Sequence, residues 1–348
     1  MTHISYYQGC GTQRPADAPA LPEINIGKLT DPSGYRASRE LAAAVDVALS
    51  LGMPLLLTGE PGLGKSQLAR SIAWELGLGE VLDFTAKSDT RGSDLFYTFD
   101  TVGRFHAAQT DDVDSDPRRF INLNALGKAI LRALPKDCLK NPLGPIADGL
   151  HLDDGGSRSV VLIDEIDKAP RDVPNDILTE IEQMAFKIPE IARQGEASPE
   201  FRLAAEQNRY RPIVIITSNS EKGLPDPFLR RCVYHHIEFP AYEHNGDERQ
   251  VTISDVVAAR LGERYEQSES RFVNDVIKLF CHLRAQEAGY RPSLAELLNL
   301  LDYLLPTRIK RFIDIDEESR YTAIQRLLFK NQLSQQKSKA LLDGWFKE

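Results

Sequence analysis

The stretch Met53-Pro54-Leu55-Leu56-Leu57-Thr58-Gly59-Glu60-Pro61-Gly62-Leu63-Gly64-Lys65-Ser66 decides the fold. Residues 53–58 are an apolar run of strand length, and the pattern G-x-x-x-x-G-K-S follows at once. Gly59, Gly62 and Gly64 let the backbone turn tightly enough for successive N–H groups to converge on phosphate oxygens, and a helix beginning near Lys65 adds its positive end. A strand, this loop and a helix in that order predict a phosphate-binding site for ATP. Lys65 reads as the point charge on the β and γ phosphates and Ser66 as the hydroxyl that ligates Mg2+, with Glu60, Pro61, Leu63 and Gln67 completing the binding segment.

Upstream, Leu41, Val45, Ala48 and Leu49 recur at helical spacing and Gly52 ends the helix. Downstream, VLDFT (81–85), SVVLID (159–164), PIVIITSN (212–219) and VYHHIEF (233–239) are further apolar runs of strand length, most of them separated by helical stretches. That alternation predicts an α/β architecture, a parallel sheet of buried strands with right-handed crossovers and ligands at the carboxyl ends of the strands. After Pro240 the apolar spacing is helical only, with Val273, Val276, Ile277 and Phe280 on one face and Leu294, Leu297, Leu298 and Leu301 on another. The expected domains are an irregular N-terminal arm over 1–34, a nucleotide-binding domain over 35–240 and a helical domain over 241–348. Three segments interrupt the alternation: 94–109, whose alternating Leu95, Tyr97 and Phe99 ahead of a turn at 101–103 suggest a hairpin; 141–157, rich in Gly, Pro and Asp, which reads as a mobile loop; and 188–212.

The third apolar run delivers two adjacent acids to a strand end. Asp164 is placed to hold the magnesium bound by Ser66, and Glu165 to take a proton from the attacking water. Carboxylates at a solvated helix start would look alike in isolation; following a hydrophobic strand, about a hundred residues after a phosphate loop, they form the second half of one site.

Composition narrows the partners. The chain has 348 residues, 42% hydrophobic and 27% charged, with a formal net charge of −9, which gives no global basic footprint for nucleic acid. Cys10, Cys138, Cys232 and Cys281 lie far apart with no C-x-x-C pair, as isolated thiols of a cytoplasmic protein do. No window approaches a membrane span. His235 and His236 are neighbours on opposite faces of a strand, poor joint metal ligands, and are assigned to packing.

GEPGLGKS, VVLIDEIDKAPRDVPNDIL, TSNSEKGLPDPFLRRC and RPSLAELL together resemble the MoxR family of AAA+ ATPases over about residues 35–305. The resemblance implies a P-loop NTPase parallel sheet, the AAA+ core, followed by a smaller all-helical lid domain. It makes Asn219 the sensor that hydrogen-bonds the γ phosphate or the lytic water, although a strand-end Asn also caps turns. It makes Arg231, with Arg230 as the alternative, the finger that reaches a neighbouring subunit's nucleotide. It makes Arg291 the sensor that couples the lid to the γ phosphate, against the plainer reading of an exposed arginine at a helix start. The segments 94–109 and 188–212 resemble pore-facing insertions, where Phe96, Tyr97, Phe99 and Phe105 either grip a partner or pack against one another. The implied activity is Mg2+-dependent ATP hydrolysis by a homo-oligomeric ring, expected to be a hexamer, that remodels a protein client, with a von Willebrand factor A domain protein as partner. A nucleic-acid motor and a slow nucleotide-gated scaffold are the alternative readings, with nucleic acid disfavoured by charge and no membrane role expected.

Overall fold

The computed structural model describes residues 30–109, 116–150, 152–192, 195, 197–220, 224–243, 250–262, 264–265, 270–286, 291–305, 312–315, 317–330 and 332–345. Most of the N-terminal arm, Cys10 included, lies outside them, as do residues 221–223 ahead of the arginine pair.

Helix α1 (Arg39–Leu51) leads into β1 (Leu55–Gly59), and α2 (Lys65–Glu75) leaves the loop that follows. Then come β2 (Leu82–Thr85), β3 (Tyr97–Phe99), α3 (Thr101–Gln109), β4 (Ile121–Leu123), α4 (Ala125–Arg132), α5 (Lys136–Leu143), α6 (Pro145–Asp148) and β5 (Val160–Asp164). Beyond it lie α7 (Val173–Asp176), α8 (Leu178–Gln183), β6 (Ala185–Lys187), β7 (Glu200–Arg202), β8 (Ile213–Thr217), α9 (Asp226–Leu229) and β9 (Val233–Ile237). The remaining helices are α10 (Ile253–Leu261), α11 (Ser270–Ala285), α12 (Leu294–Leu304), α13 (Glu317–Leu328) and α14 (Gln332–Trp345).

Residues 39–60 and 64–239 form one compact unit, built on a five-stranded sheet in the order β2-β5-β8-β1-β9. Every pairing in it is parallel, with Leu57 beside Thr217 and Ile163 beside Ile216. Parallel strands need crossovers, which explains why sequence neighbours are not sheet neighbours here. The interior strands β1, β5 and β8 are buried almost throughout, as their uninterrupted Leu, Val and Ile runs require. The edge strands β2 and β9 instead alternate between more and less exposed residues, so the expectation of uniformly buried strands fails at the two edges. His236 is exposed there rather than packed, with its Nδ1 2.9 Å from Thr58 Oγ1.

Two further expectations are corrected. Segment 94–109 is not a hairpin: Phe99 ends β3, and residues 101–109 continue as helix α3. The antiparallel partner of β3 is β4, with Phe99 beside Ile121 and Tyr97 beside Leu123, well beyond the window in which alternation was read, while Leu95 ends a 3-10 turn ahead of the strand. Segment 141–157 begins in helices α5 and α6, and Leu143, Ala147 and Leu150, at helical spacing, are buried in the core; that apolar period outweighs the Pro and Gly content. Of the aromatics, Phe96 and Tyr97 are packed and Phe105 is exposed. Phe96 stacks on Phe186 with ring centroids 5.3 Å apart, Phe186 lies 5.4 Å from Phe201, and Tyr97 donates to Glu190 Oε2 at 2.9 Å. Segment 94–109, which holds β3, is thereby joined to the β6–β7 pair, whose β7 lies in segment 188–212 and whose β6 lies just before it. Gly127 of α4 lies so close to the chain at Phe96 that a Cβ would meet its carbonyl group.

Residues 61–63 and 240–348, with the described residues before 39, form a second compact unit. Its core is helical. Leu294, Leu297, Leu300, Leu301 and Leu304 of α12 are buried, and α12 packs against α10, α11 and α13. Thr252 with Asp255 and Ser293 with Glu296 form reciprocal caps that fix where α10 and α12 begin. The segment entering α1 belongs to this unit: Arg260 donates to the Asp31 carbonyl at 2.7 Å and lies over the Tyr35 ring, whose phenol burial pushes above its usual range.

Candidate nucleotide site

In a parallel sheet the carboxyl ends of all strands share one edge. Here that edge gathers Gly59 at the end of β1, Asp164 at the end of β5 and Thr217 at the end of β8. The loop after β1 turns through positive φ at Gly59 (139°), Gly62 (79°) and Gly64 (84°), conformations that side-chain-bearing residues avoid. Gly64 is the N-cap of α2, so the loop delivers the first N–H groups of that helix to one place. Glu60 is half-buried, Pro61 and Gly62 are exposed and Leu63 is buried.

Lys65 is not the solvent-side residue that a loop position suggests. It is 7% exposed, and its Nζ donates to Gly59 O at 2.8 Å, Glu60 O at 3.0 Å and Asn219 Oδ1 at 2.8 Å. Burial holds its ammonium below the usual lysine range, opposed by the charges of Asp164, Asp167, Glu165 and Glu60. A buried cation with only neutral oxygens in contact has most of its attraction for an anion still available.

Ser66 Oγ donates to Asp164 Oδ1 at 2.9 Å and Oδ2 at 3.0 Å, which brings together the two sequence motifs that bear magnesium-type ligands. A hydroxyl beside a carboxylate is the hard-oxygen donor set that magnesium accepts alongside water and phosphate oxygen. Gln67 follows on α2, and its Oε1 is buried with no hydrogen-bond partner among the described residues. Glu165 adopts a left-handed conformation at φ 56°, ψ 46°, and its Oε2 accepts from Lys168 Nζ at 2.6 Å. That bond holds the Lys168 ammonium above its usual range. Asn219 closes the group: its side chain accepts from Lys65, and its N–H donates to Asp167 Oδ1 at 3.2 Å. Lys65, Ser66, Asp164, Glu165 and Asn219 therefore lie at one strand edge.

Neither Arg230 nor Arg231 takes part in the bonds just described. Arg231 is exposed and paired within its own chain, with Nε 3.3 Å from Glu182 Oε2 and Nη1 3.2 Å from Pro227 O. Arg230 is exposed. Arg291 is exposed and belongs to the helical unit. Residues with no sequence signal also enter the site: Thr217, which reads as an ordinary β-branched strand former, bonds to both acids, and Lys168 and Asp167 bond to Glu165 and Asn219. Among the described residues no group of three His, Cys, Asp or Glu side chains is placed to hold a metal, and no helix is long and apolar enough to cross a membrane.

Compared with known families, residues 54–232 match the AAA domain of the dynein-related subfamily. The chain belongs to that AAA family. Its segment reaches from the first residues before β1 to Cys232, and so takes in the phosphate loop, both acids, Asn219 and the arginine pair. Membership carries nucleotide hydrolysis, ATPase activity in general, as the activity of the class. No curated protein matches the chain significantly. Among solved structures, a threonine-to-valine variant of Thermotoga maritima RuvB is similar at 16% identity and a TM-score of 0.42, covering 83% of this chain and 67% of that one. The Thermotoga maritima RuvB Holliday junction branch migration motor is similar at 16% identity and 0.41, with the same coverage. A lysine-to-arginine RuvB variant from that organism gives 14% identity and 0.41, covering 83% and 68%. Likenesses this distant carry no argument about what the AAA chain acts on.

Proposed function

We propose that this AAA protein is a MoxR-type ATPase that hydrolyses ATP with magnesium, works as a homo-oligomeric ring, a hexamer, and remodels a protein client together with a von Willebrand factor A domain partner. The observation that carries the catalytic part is the bond from Ser66 to Asp164, which unites the loop that would hold the phosphates with the acids that would complete the reaction. The proposed nucleotide-binding domain is residues 35–240 and the proposed lid residues 241–348, with residues 35–38 grouping with the helical unit.

In this reading the N–H groups of the loop residues from Gly59 to Ser66, Pro61 excepted because it has none, and the Lys65 ammonium bind the phosphates, the lysine exchanging its carbonyl contacts for charged oxygens. Ser66 and Asp164 hold magnesium, which when bound neutralises charge on the transferring phosphoryl group. Glu165 accepts the proton of the attacking water, and Asn219 orients that water, its amide taking no proton itself. Arg231, or Arg230 in its place, completes the neighbouring subunit's site, and Arg291 acts as the lid's sensor. The client-remodelling and partner assignments rest on the sequence resemblance, and a cytoplasmic location on the isolated cysteines. Net charge is the sole ground against a nucleic-acid partner, and the family match adds nothing to it.

The test is Glu165→Gln. It should bind ATP as the parent does and lose turnover, because the amide keeps the shape and cannot take the proton. Hydrolysis at the parent rate would place the base elsewhere. The same ATP-trapped protein, measured for mass and used to capture partners, should behave as a hexamer and retain a von Willebrand factor A domain protein; a monomer that retains none would remove the ring and partner assignments.

A further inference from the structure

We propose that Thr217 is the positioning residue of this site: one buried hydroxyl sets the orientation of the Asp164 carboxylate and the backbone turn that aims Glu165. The inference rests on the ATPase reading above and deepens it. Thr217 ends β8 and is 1% exposed. Its Oγ1 donates to Asp164 Oδ1 and accepts from the Glu165 N–H at 3.0 Å. A threonine hydroxyl has one proton. That proton goes to Asp164 while a lone pair meets Glu165, so the hydroxyl has a single orientation.

Three features make this link more than strand packing. First, the ladder register between β5 and β8 runs from Val160–Ile213 to Ile163–Ile216, and the Thr217 side chain joins the strands one step beyond it. Second, Glu165 is one of two described non-glycine residues at positive φ, a conformation that persists only where the surroundings hold it, and its N–H is the group Thr217 receives. Third, the Asp164 side chain also accepts from Ser66, so the hydroxyl of Ser66 and the backbone of Glu165 are linked through two side chains, Asp164 and Thr217. A rotation of the Asp164 carboxylate on either side of the catalytic cycle is thus felt at the turn that carries the base. Asn219, two residues beyond Thr217, is held to the same frame through Asp167.

Thr217→Val keeps the β-branched shape and removes both bonds, whereas Thr217→Ser keeps the hydroxyl. With Glu165→Gln as the reference for a lost base, Thr217→Val should lower kcat by about 10- to 100-fold while the KM for ATP stays within about threefold, and Thr217→Ser should stay within about threefold of the parent in both. In nucleotide-free protein, amide hydrogen exchange at Glu165 should quicken by at least about tenfold in Thr217→Val and not in Thr217→Ser, with exchange at Leu162 and Ile215 unchanged. Parent-like turnover and exchange in Thr217→Val would overturn the proposal, as would faster exchange at Leu162 and Ile215 to the same extent, which would make Thr217 a general stabiliser. If Glu165→Gln itself turns over at the parent rate, the ATPase assignment of the acids fails instead, and the exchange measurement still decides whether Thr217 holds the turn.

Discussion

Replacing Arg231 with alanine removes two different things, and their sizes differ enough to tell which one matters. Within the chain, Arg231 pairs with Glu182 at 3.3 Å, and the two side chains are 48% and 64% exposed. Exposed pairs of this kind contribute about 0.2–1 kcal/mol, at most about a fivefold change in any equilibrium they bias. A guanidinium acting on a transferring phosphoryl group contributes about 10³- to 10⁵-fold in rate, or about 4–7 kcal/mol. If Arg231 is the finger, Arg231→Ala should bind ATP with near-parent affinity and lose at least about a thousandfold in turnover, while Glu182→Gln, which breaks only the internal pair, should change turnover by less than about fivefold. The assay is steady-state hydrolysis against protein concentration. Specific activity of the parent should rise with concentration as rings form, and a mixture of Arg231→Ala with Glu165→Gln should recover part of the activity through interfaces that join one chain's Arg231 to the other's Glu165. Equal, small losses in Arg231→Ala and Glu182→Gln would reduce Arg231 to a surface ion pair. Loss in Arg230→Ala alone would move the finger by one residue, and full activity in both would end the trans-acting model.

Three other perturbations follow from the geometry. Lys65→Ala should abolish ATP binding in a calorimetric titration, with circular dichroism unchanged, since its ammonium contacts only neutral oxygens and its charge is of use chiefly to phosphate; unaltered affinity would sink the phosphate-loop assignment. Gly127→Ala should destabilise the fold by about 1–3 kcal/mol in denaturant titration, because its Cβ would lie 2.8 Å from the Phe96 carbonyl carbon and main chain cannot swing away as a side chain can; a midpoint equal to the parent's would show that β3 is loosely held. Burial pushes the Cys232 thiol up to about 12, above its unfolded value, so the stabilisation from keeping it protonated is complete below about pH 8.5 and is lost as pH rises towards 12. Cys232→Ala should therefore flatten the alkaline decline of Tm, and parallel declines in the two proteins would refute that origin.

The interior of the sheet was legible because its strands are homogeneous. LLLT, VVLID and IVIIT are buried on both faces, so an apolar run of the right length says where each begins and ends, and the residues that follow it must lie at one edge. The phosphate loop and the adjacent acids were legible for the same reason. Where burial is one-sided the signal thins. Three residues of β3 cannot announce a partner strand that begins at Ile121, and the Pro and Gly of 142–149 conceal a helical period carried by Leu143, Ala147 and Leu150. Within the site, what escaped was the linkage rather than the chemistry. A threonine at a strand end and a lysine three residues past an acid are unremarkable letters until the fold supplies their partners.

The packed rings of Phe96, Phe186 and Phe201, with Tyr97 bound to Glu190, bear on how this sequence can change over time. Insertions that sit on separate crossovers are usually free to drift one at a time, because each answers only to the strand ends that flank it. Here the two share a wall, so a bulkier ring on one side needs a smaller one on the other, and their histories are bound together. Transplanting either insertion alone from a relative should yield a poorly folding chimera, whereas moving both as a cassette should restore it.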